Sequence, residues 1–308
     1  MSFPTVLAHV VAPLDGRPGI WTWTFDPIVL AGLVWVAAAY LGAVSRVRRT
    51  RSSMTFPARR VACFLGGLAA IAVALLSPVD AYAGWLLSVH MVQHVLLTMV
   101  AAPLIVLGAP VSLALAASPA GGRRVLHRFL HGRVLRVVGA PLVGWIAFVA
   151  AMWIWHLPSL YDTALEHEGV HAVEHLIFLV TALLFWWPLV GLDPNPHRPS
   201  HPGRLLLLFL SMPAMAILGL SISTASHVLY APYATATAAI GVSPISDQHL
   251  GGAIMWEGSL LLMMPALVLV LLDWMQRDER AAERADARRL RSAGAATIAP
   301  ASGERGAT

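Results

Sequence analysis

The residues able to do chemistry in this chain are histidines in short, regular groups. WLLSVHMVQHVLL carries His90 and His94 four residues apart, and HEGVHAVEH carries His167, His171 and His175 at the same interval, with Glu168 and Glu174 beside them. A spacing of four puts side chains on one face of a helix. His156 ends WIWHLP, His227 stands in STASHVLY, Asp247 and His249 lie in SDQHLGG, and Glu257 follows two turns later. Imidazole is the commonest nitrogen ligand for copper, zinc and iron, and a carboxylate such as Glu174 can hold a ligand's second ring nitrogen. The pattern predicts one metal or cofactor site where several helices meet, with His90, His94, His171, His175 and His249 converging. The plainer alternative is a set of hydrogen-bonded histidines at helix ends.

Two other chemistries share these residues. HEGVH fits the zinc-protease pattern HExxH and HAVEH its inverse, each with a glutamate placed as general base. An intramembrane protease also wants a further carboxylate ligand, and Asp193 of LDPNP is 22 residues beyond His171. That is about 33 Å of helix, too far to share an ion. Paired histidines on neighbouring helices also hold haem in membrane cytochromes, but propionates need cationic partners. Met91, Met152, Met212, Met215, Met255, Met263 and Met264 would suit soft Cu(I), though methionines within apolar helices usually fill the core.

The elements that must position these groups are read from hydropathy. A mean hydropathy of +0.70 with 57% hydrophobic and 12% charged residues excludes an ordinary soluble domain. A bilayer crossing needs about 20 mostly apolar residues. Seven such stretches are present: Ile28 to Val44, Val61 to Leu76, Trp85 to Leu107, Leu135 to Trp155, Val170 to Val190, Leu205 to Thr224 and Leu250 to Leu272. The chain is therefore expected to be an all-α, polytopic membrane protein of seven transmembrane helices, with one membrane domain over 1–272. A helical, then disordered, cytoplasmic tail is expected over 273–308. The apolar run from Trp85 to Ser118 exceeds one straight crossing, so the helix is expected to break near Pro103 to Pro110 and Val111 to Ala117 to lie along the inner interface.

All 21 basic residues are arginine, and their placement sets the orientation. Six lie between the first two spans, five between the third span and the first turn of the fourth (Arg136 standing in that turn), two between the fifth and sixth, and seven after the last, leaving Arg17 alone on the other side. By the positive-inside rule the N-terminus is expected outside and the C-terminus in the cytoplasm. The histidine groups then share the outer face, where Arg17 alone could meet a haem propionate. The net charge of +5 is this juxtamembrane arginine, which suits anionic lipid and carries no nucleic-acid motif. No cleavable signal peptide is expected, the first span serving as insertion signal, with Trp21, Trp23 and Phe25 as an interfacial belt. The lone cysteine, Cys63, excludes a disulfide or a CxxC thiol site within the chain.

HMVQHVLLTMVAAPLIVLGAP (90–110), WIWHLPSLYDTALEHEGVHAVEHLIFLVTALLFWWPL (153–189) and SDQHLGGAIMW (246–256) together resemble the CtaG family of bacterial cytochrome c oxidase assembly factors, over about residues 80–272. The resemblance implies a non-enzymatic, multi-pass protein of the bacterial plasma membrane that helps deliver copper to a haem-copper oxidase subunit. It places family positions on His90, His94, His171, Glu174, His175, Asp247 and His249. Copper, as Cu(I), is the metal expected, bound at an open site near the outer surface, with Glu174, Asp247, Glu257, His167, His156 and His227 in supporting places. The alternatives are a haem-binding electron-transfer protein, a copper transporter using Glu257 and the deep methionines, or an intramembrane zinc protease.

Overall fold

The computed structural model describes residues 21–50, 56–195 and 197–298. Arg17, Arg51, the N-terminus and the expected disordered end of the tail lie outside these residues. Every described element is helical: α1 Pro27–Thr50, α2 Ala58–Leu76, α3 Pro78–Ala83, α4 Leu87–Val95, α5 Ala102–Leu107, α6 Pro110–Ala117, α7 Ala120–Leu130, α8 Arg133–Val138, α9 Pro141–Trp155, α10 Pro158–Glu166, α11 Glu168–Leu189, α12 His201–Ser223, α13 Ala231–Ala239, α14 Pro244–Ala253 and α15 Ser259–Ile298. Two π-helical turns, Leu96–Ala101 and Ile254–Gly258, join α4 to α5 and α14 to α15. Proline opens α1, α3, α6, α9, α10 and α14, where its fixed φ suits the first turn and its missing N–H costs nothing.

Among the described residues, six helical stretches are long and apolar enough to cross a bilayer, making this a multi-pass membrane protein. They cover the expected spans, to within two residues at an end, except the fourth. That one is the 15-residue α9, which reaches seven crossings only if counted with α10, bent 76° from it. Its length, about 22 Å, is short of the hydrocarbon core. The break in the third span falls at Gly108 and Ala109, with Ala109 left-handed at φ 51°. By length and apolar composition Leu87–Ala117 reads as one stretch of 31 residues. After the last span, α15 runs on through the charged segment to Ile298.

Two apolar clusters hold the bundle. One joins α1, α2, the third span and α6 around Tyr40, Phe64, Leu97 and Leu113. The other unites the third to seventh spans around Phe148, Phe178, Phe185, Trp186, Met215 and Met263. Small residues let backbones meet in the second cluster, as in other membrane helix pairs. A Cβ on Gly252 would lie 2.5 Å from the Ser223 nitrogen and 2.6 Å from the Gly219 oxygen, and one on Gly144 would lie 2.7 Å from the Leu184 oxygen. These contacts bring α14 against α12 and, at the end away from the histidines, α9 against α11.

Candidate metal centre

α4 presents His90 and His94 on its buried face. His156 is the C-cap of α9, where the chain bends into α10. The first two turns of α11 supply His171, Glu174 and His175. Between helices, ring centroids of His90 and His171 are 5.1 Å apart, His90 and His175 5.9 Å, His94 and His175 5.4 Å, and His94 and His156 5.7 Å. The expected convergence of the two histidine pairs is therefore present, with His156 as a fifth ring.

The donor atoms fall into two overlapping triads. His90, His171 and His175 form one and His90, His94 and Glu174 the other, each with its ligand atoms within 4.8 Å of one another. His90 Nε2 lies 3.3 Å from His171 Nε2, and His94 Nε2 lies 3.8 Å from Glu174 Oε1. The hydrogen-bond network assigns the tautomer of His90. The Tyr233 hydroxyl donates to the Ala83 carbonyl at 2.6 Å, so it accepts from His90 Nδ1 at 2.7 Å. The Tyr161 hydroxyl stands 3.1 Å from the same nitrogen. His90 Nε2 is left as a lone pair facing the triads. His156 donates from Nδ1 to Met152 O at 2.6 Å, and its buried Nε2 has no hydrogen-bond partner.

The inner triad lacks the partners that buried polar atoms need. The His94 and Glu174 side chains are 2% and 0% exposed, and neither ring nitrogen of His94 nor either oxygen of Glu174 makes a hydrogen bond. Burying a carboxylate and an imidazole in this state is costly unless a cation or proton lies between them. His171 is half-buried. It borders, with His175, a cavity of about 230 Å³ whose wall also carries Asp26, Asp80 and Glu168. Tyr161 of α10 and Tyr233 of α13 pack on the His90 ring, so the site is more enclosed than the open surface site expected from the sequence.

Several expected members stand apart. His249 is exposed and its Nε2 bonds the Ala225 carbonyl at 3.0 Å, outside both triads. At about 100° per residue along a helix, the inward places on α14 go to its neighbours Asp247 and Gln248, both buried. Asp247 accepts from the Leu87 backbone at 2.7 Å and from Ser88, capping α4 and so aiming His90 and His94 rather than touching them. Glu257 and His227 are exposed, and neither belongs to a triad. His167 is exposed too, caps α11 with extended backbone and turns toward Thr163 O. It therefore shares no helical face with His171, and the HExxH reading loses its first ligand. Sequence reasoning passed over Tyr161 and Tyr233; the one available signal was that SLYD adjoins the His156 motif.

The family model for the cytochrome c oxidase caa3 assembly factor, Caa3_CtaG, matches residues 38–277. An uncharacterized protein of Mycobacterium bovis is 35% identical over 272 residues, covering 86% of this chain and 41% of the relative. An uncharacterized protein of Mycobacterium leprae is 32% identical over the same shares. This chain thus spans less than half the length of the curated relatives it matches. No solved structure matches it significantly. The third to seventh spans, with both histidine pairs, lie inside the matched segment, and the chain belongs to the Caa3_CtaG family of cytochrome c oxidase assembly factors.

Proposed function

We propose that this chain assists assembly of a haem-copper cytochrome c oxidase by holding copper, as Cu(I), at His90, His94, His171 and His175 and passing it to an oxidase subunit. The observation carrying this reading is the pair of three-donor sets that share His90. A d¹⁰ ion with few ligands moves readily by exchanging one donor at a time. His171 and His175, beside the acid-walled cavity, receive the ion, and His90 hands it to His94 and Glu174. The carboxylate offsets the ion's charge in the apolar interior, as buried ions require. Tyr233 and Tyr161 fix the His90 ring, and Asp247 fixes the helix beneath it. Asp26, Asp80 and Glu168 on the cavity wall favour entry of a cation.

This arrangement favours copper handling over haem. A porphyrin needs a slot between its two ligand rings, whereas here the rings lie against one another, Tyr161 and Phe178. The site faces the outside if the arginine alternation is followed, which would put delivery on the side opposite the arginines. The test is copper content of two samples: the chain purified under reducing conditions, and the oxidase from a strain lacking it. One copper per chain and a copper-poor oxidase are expected. A copper-free chain that binds no added Cu(I), or a copper-replete oxidase, would overturn the reading.

A further inference from the structure

The opposite end of the bundle holds a second built site, with no histidine ligand in it. A cavity of about 480 Å³ is lined by Arg59, Arg60, Arg198, Arg204 and Arg277 against one carboxylate, Asp273, and floored by Leu107, Val190, Leu269 and Val270. The arginines come from α2, the loop after α11, α12 and α15, so the fold and not one helix gathers them. Two are incompletely matched. The Nε atoms of Arg60 and Arg204 are buried without a hydrogen-bond partner, and Arg204 as a whole is only 4% exposed. Its other nitrogens reach Leu189 O and Asp273, and Asp273 is already shared with His201 and Arg277. The pocket has donors and positive charge to spare.

A second cavity, of about 220 Å³, shares Leu107, Val190 and Leu269 with the first and continues along Val100, Pro103, Leu262 and Pro265 between the third, fifth and seventh spans. Its lining is apolar except for the Trp186 ring. We infer that the two cavities together bind one anionic phospholipid, its phosphate among the five arginines and an acyl chain in the apolar groove. Guanidinium forks match phosphate oxygens in pairs, and basic pockets between membrane helices suit anionic headgroups. A free phosphate would use the arginines and leave the groove empty. The inference does not depend on the copper reading, since the site lies at the other end of the helices.

The test uses the whole chain in mild detergent, delipidated, with native mass spectrometry as readout. Dioleoylphosphatidylglycerol, dioleoylphosphatidylcholine and inorganic phosphate are offered separately and in competition. One phosphatidylglycerol per chain should be retained at least about tenfold more tightly than phosphatidylcholine, and inorganic phosphate should fail to displace it. Arg59→Gln and Arg277→Gln, both at exposed residues, should each weaken it about fivefold. Leu269→Trp, which fills the groove, should exclude the lipid while the Arg variants still fold. Equal retention of phosphatidylcholine would overturn the inference as general lipid coating. Displacement by inorganic phosphate would reassign the pocket to a free anion, and unchanged binding in both Arg variants would remove the arginines from it.

Discussion

Tyr233→Phe tests how the metal ligands are held. The substitution removes the hydroxyl that accepts from His90 Nδ1 at 2.7 Å and donates to Ala83 O at 2.6 Å, without changing ring volume. Loss of such an orienting hydrogen bond typically weakens metal binding about 10–100-fold, or about 1.4–2.7 kcal/mol. Here the Tyr161 hydroxyl, 3.1 Å from the same nitrogen, can take over part of the role. The single variant should therefore lose about tenfold and the Tyr161→Phe, Tyr233→Phe double variant about a hundredfold. Leaving the Ala83 carbonyl without its donor should cost about 1–3 kcal/mol of stability as well. Competition with a chromophoric Cu(I) chelator under reducing conditions measures affinity, and thermal unfolding of the metal-free protein measures stability separately. An unchanged dissociation constant in the folded double variant would refute the reasoning. Tighter binding would do so more sharply, because it would mean that Nδ1, freed from the tyrosines, is the ligating atom.

The double variants His90→Ala, His94→Ala and His171→Ala, His175→Ala should each abolish copper retention and the oxidase's copper content while the protein stays inserted, since alanine suits an apolar helix; immunoblot and metal analysis read both. Changing His127 and His131, stacked on each other outside the site, should leave copper content unaltered. His249→Ala and His167→Ala should shift Cu(I) affinity less than about threefold by the same chelator assay, because ordinary surface changes stay within about 0.5 kcal/mol. Gly252→Ala should destabilise the bundle by about 1–3 kcal/mol, the usual cost of overpacking, as a lowered thermal midpoint, because its Cβ would meet backbone atoms of α12 at 2.5 and 2.6 Å.

Much of the architecture was legible because its signals are additive along the chain. Apolar length marks most spans. The fourth span was begun too early, since Leu135 to Val138 belongs, with Arg136, to the separate α8. The two histidine pairs were legible because a spacing of four survives any helix rotation. A single histidine has no such internal reference. His249 was placed inward on its motif, yet α14 is rotated so that Asp247 and Gln248 take the inward positions, with Gln248 bonding Leu229 N and His227 O. That rotation is set by backbone contact at Gly219 and Gly252, a tertiary effect without a local pattern. Tyr233 lies 143 residues from His90, and nothing near either residue announces the pairing.

The π turn at Leu96–Ala101 begins two residues after His94. A π turn carries one residue more than the α-helical repeat allows, so it acts as a phase slip within the third span. The helix above it can keep His90 and His94 aimed at α11 while the helix below keeps Gly108 against Phe64 of α2 and its carbonyl on Tyr40. The two ends of one rod are thereby free to diverge independently: a substitution that turns the arginine end by part of a helical step need not turn the imidazoles with it.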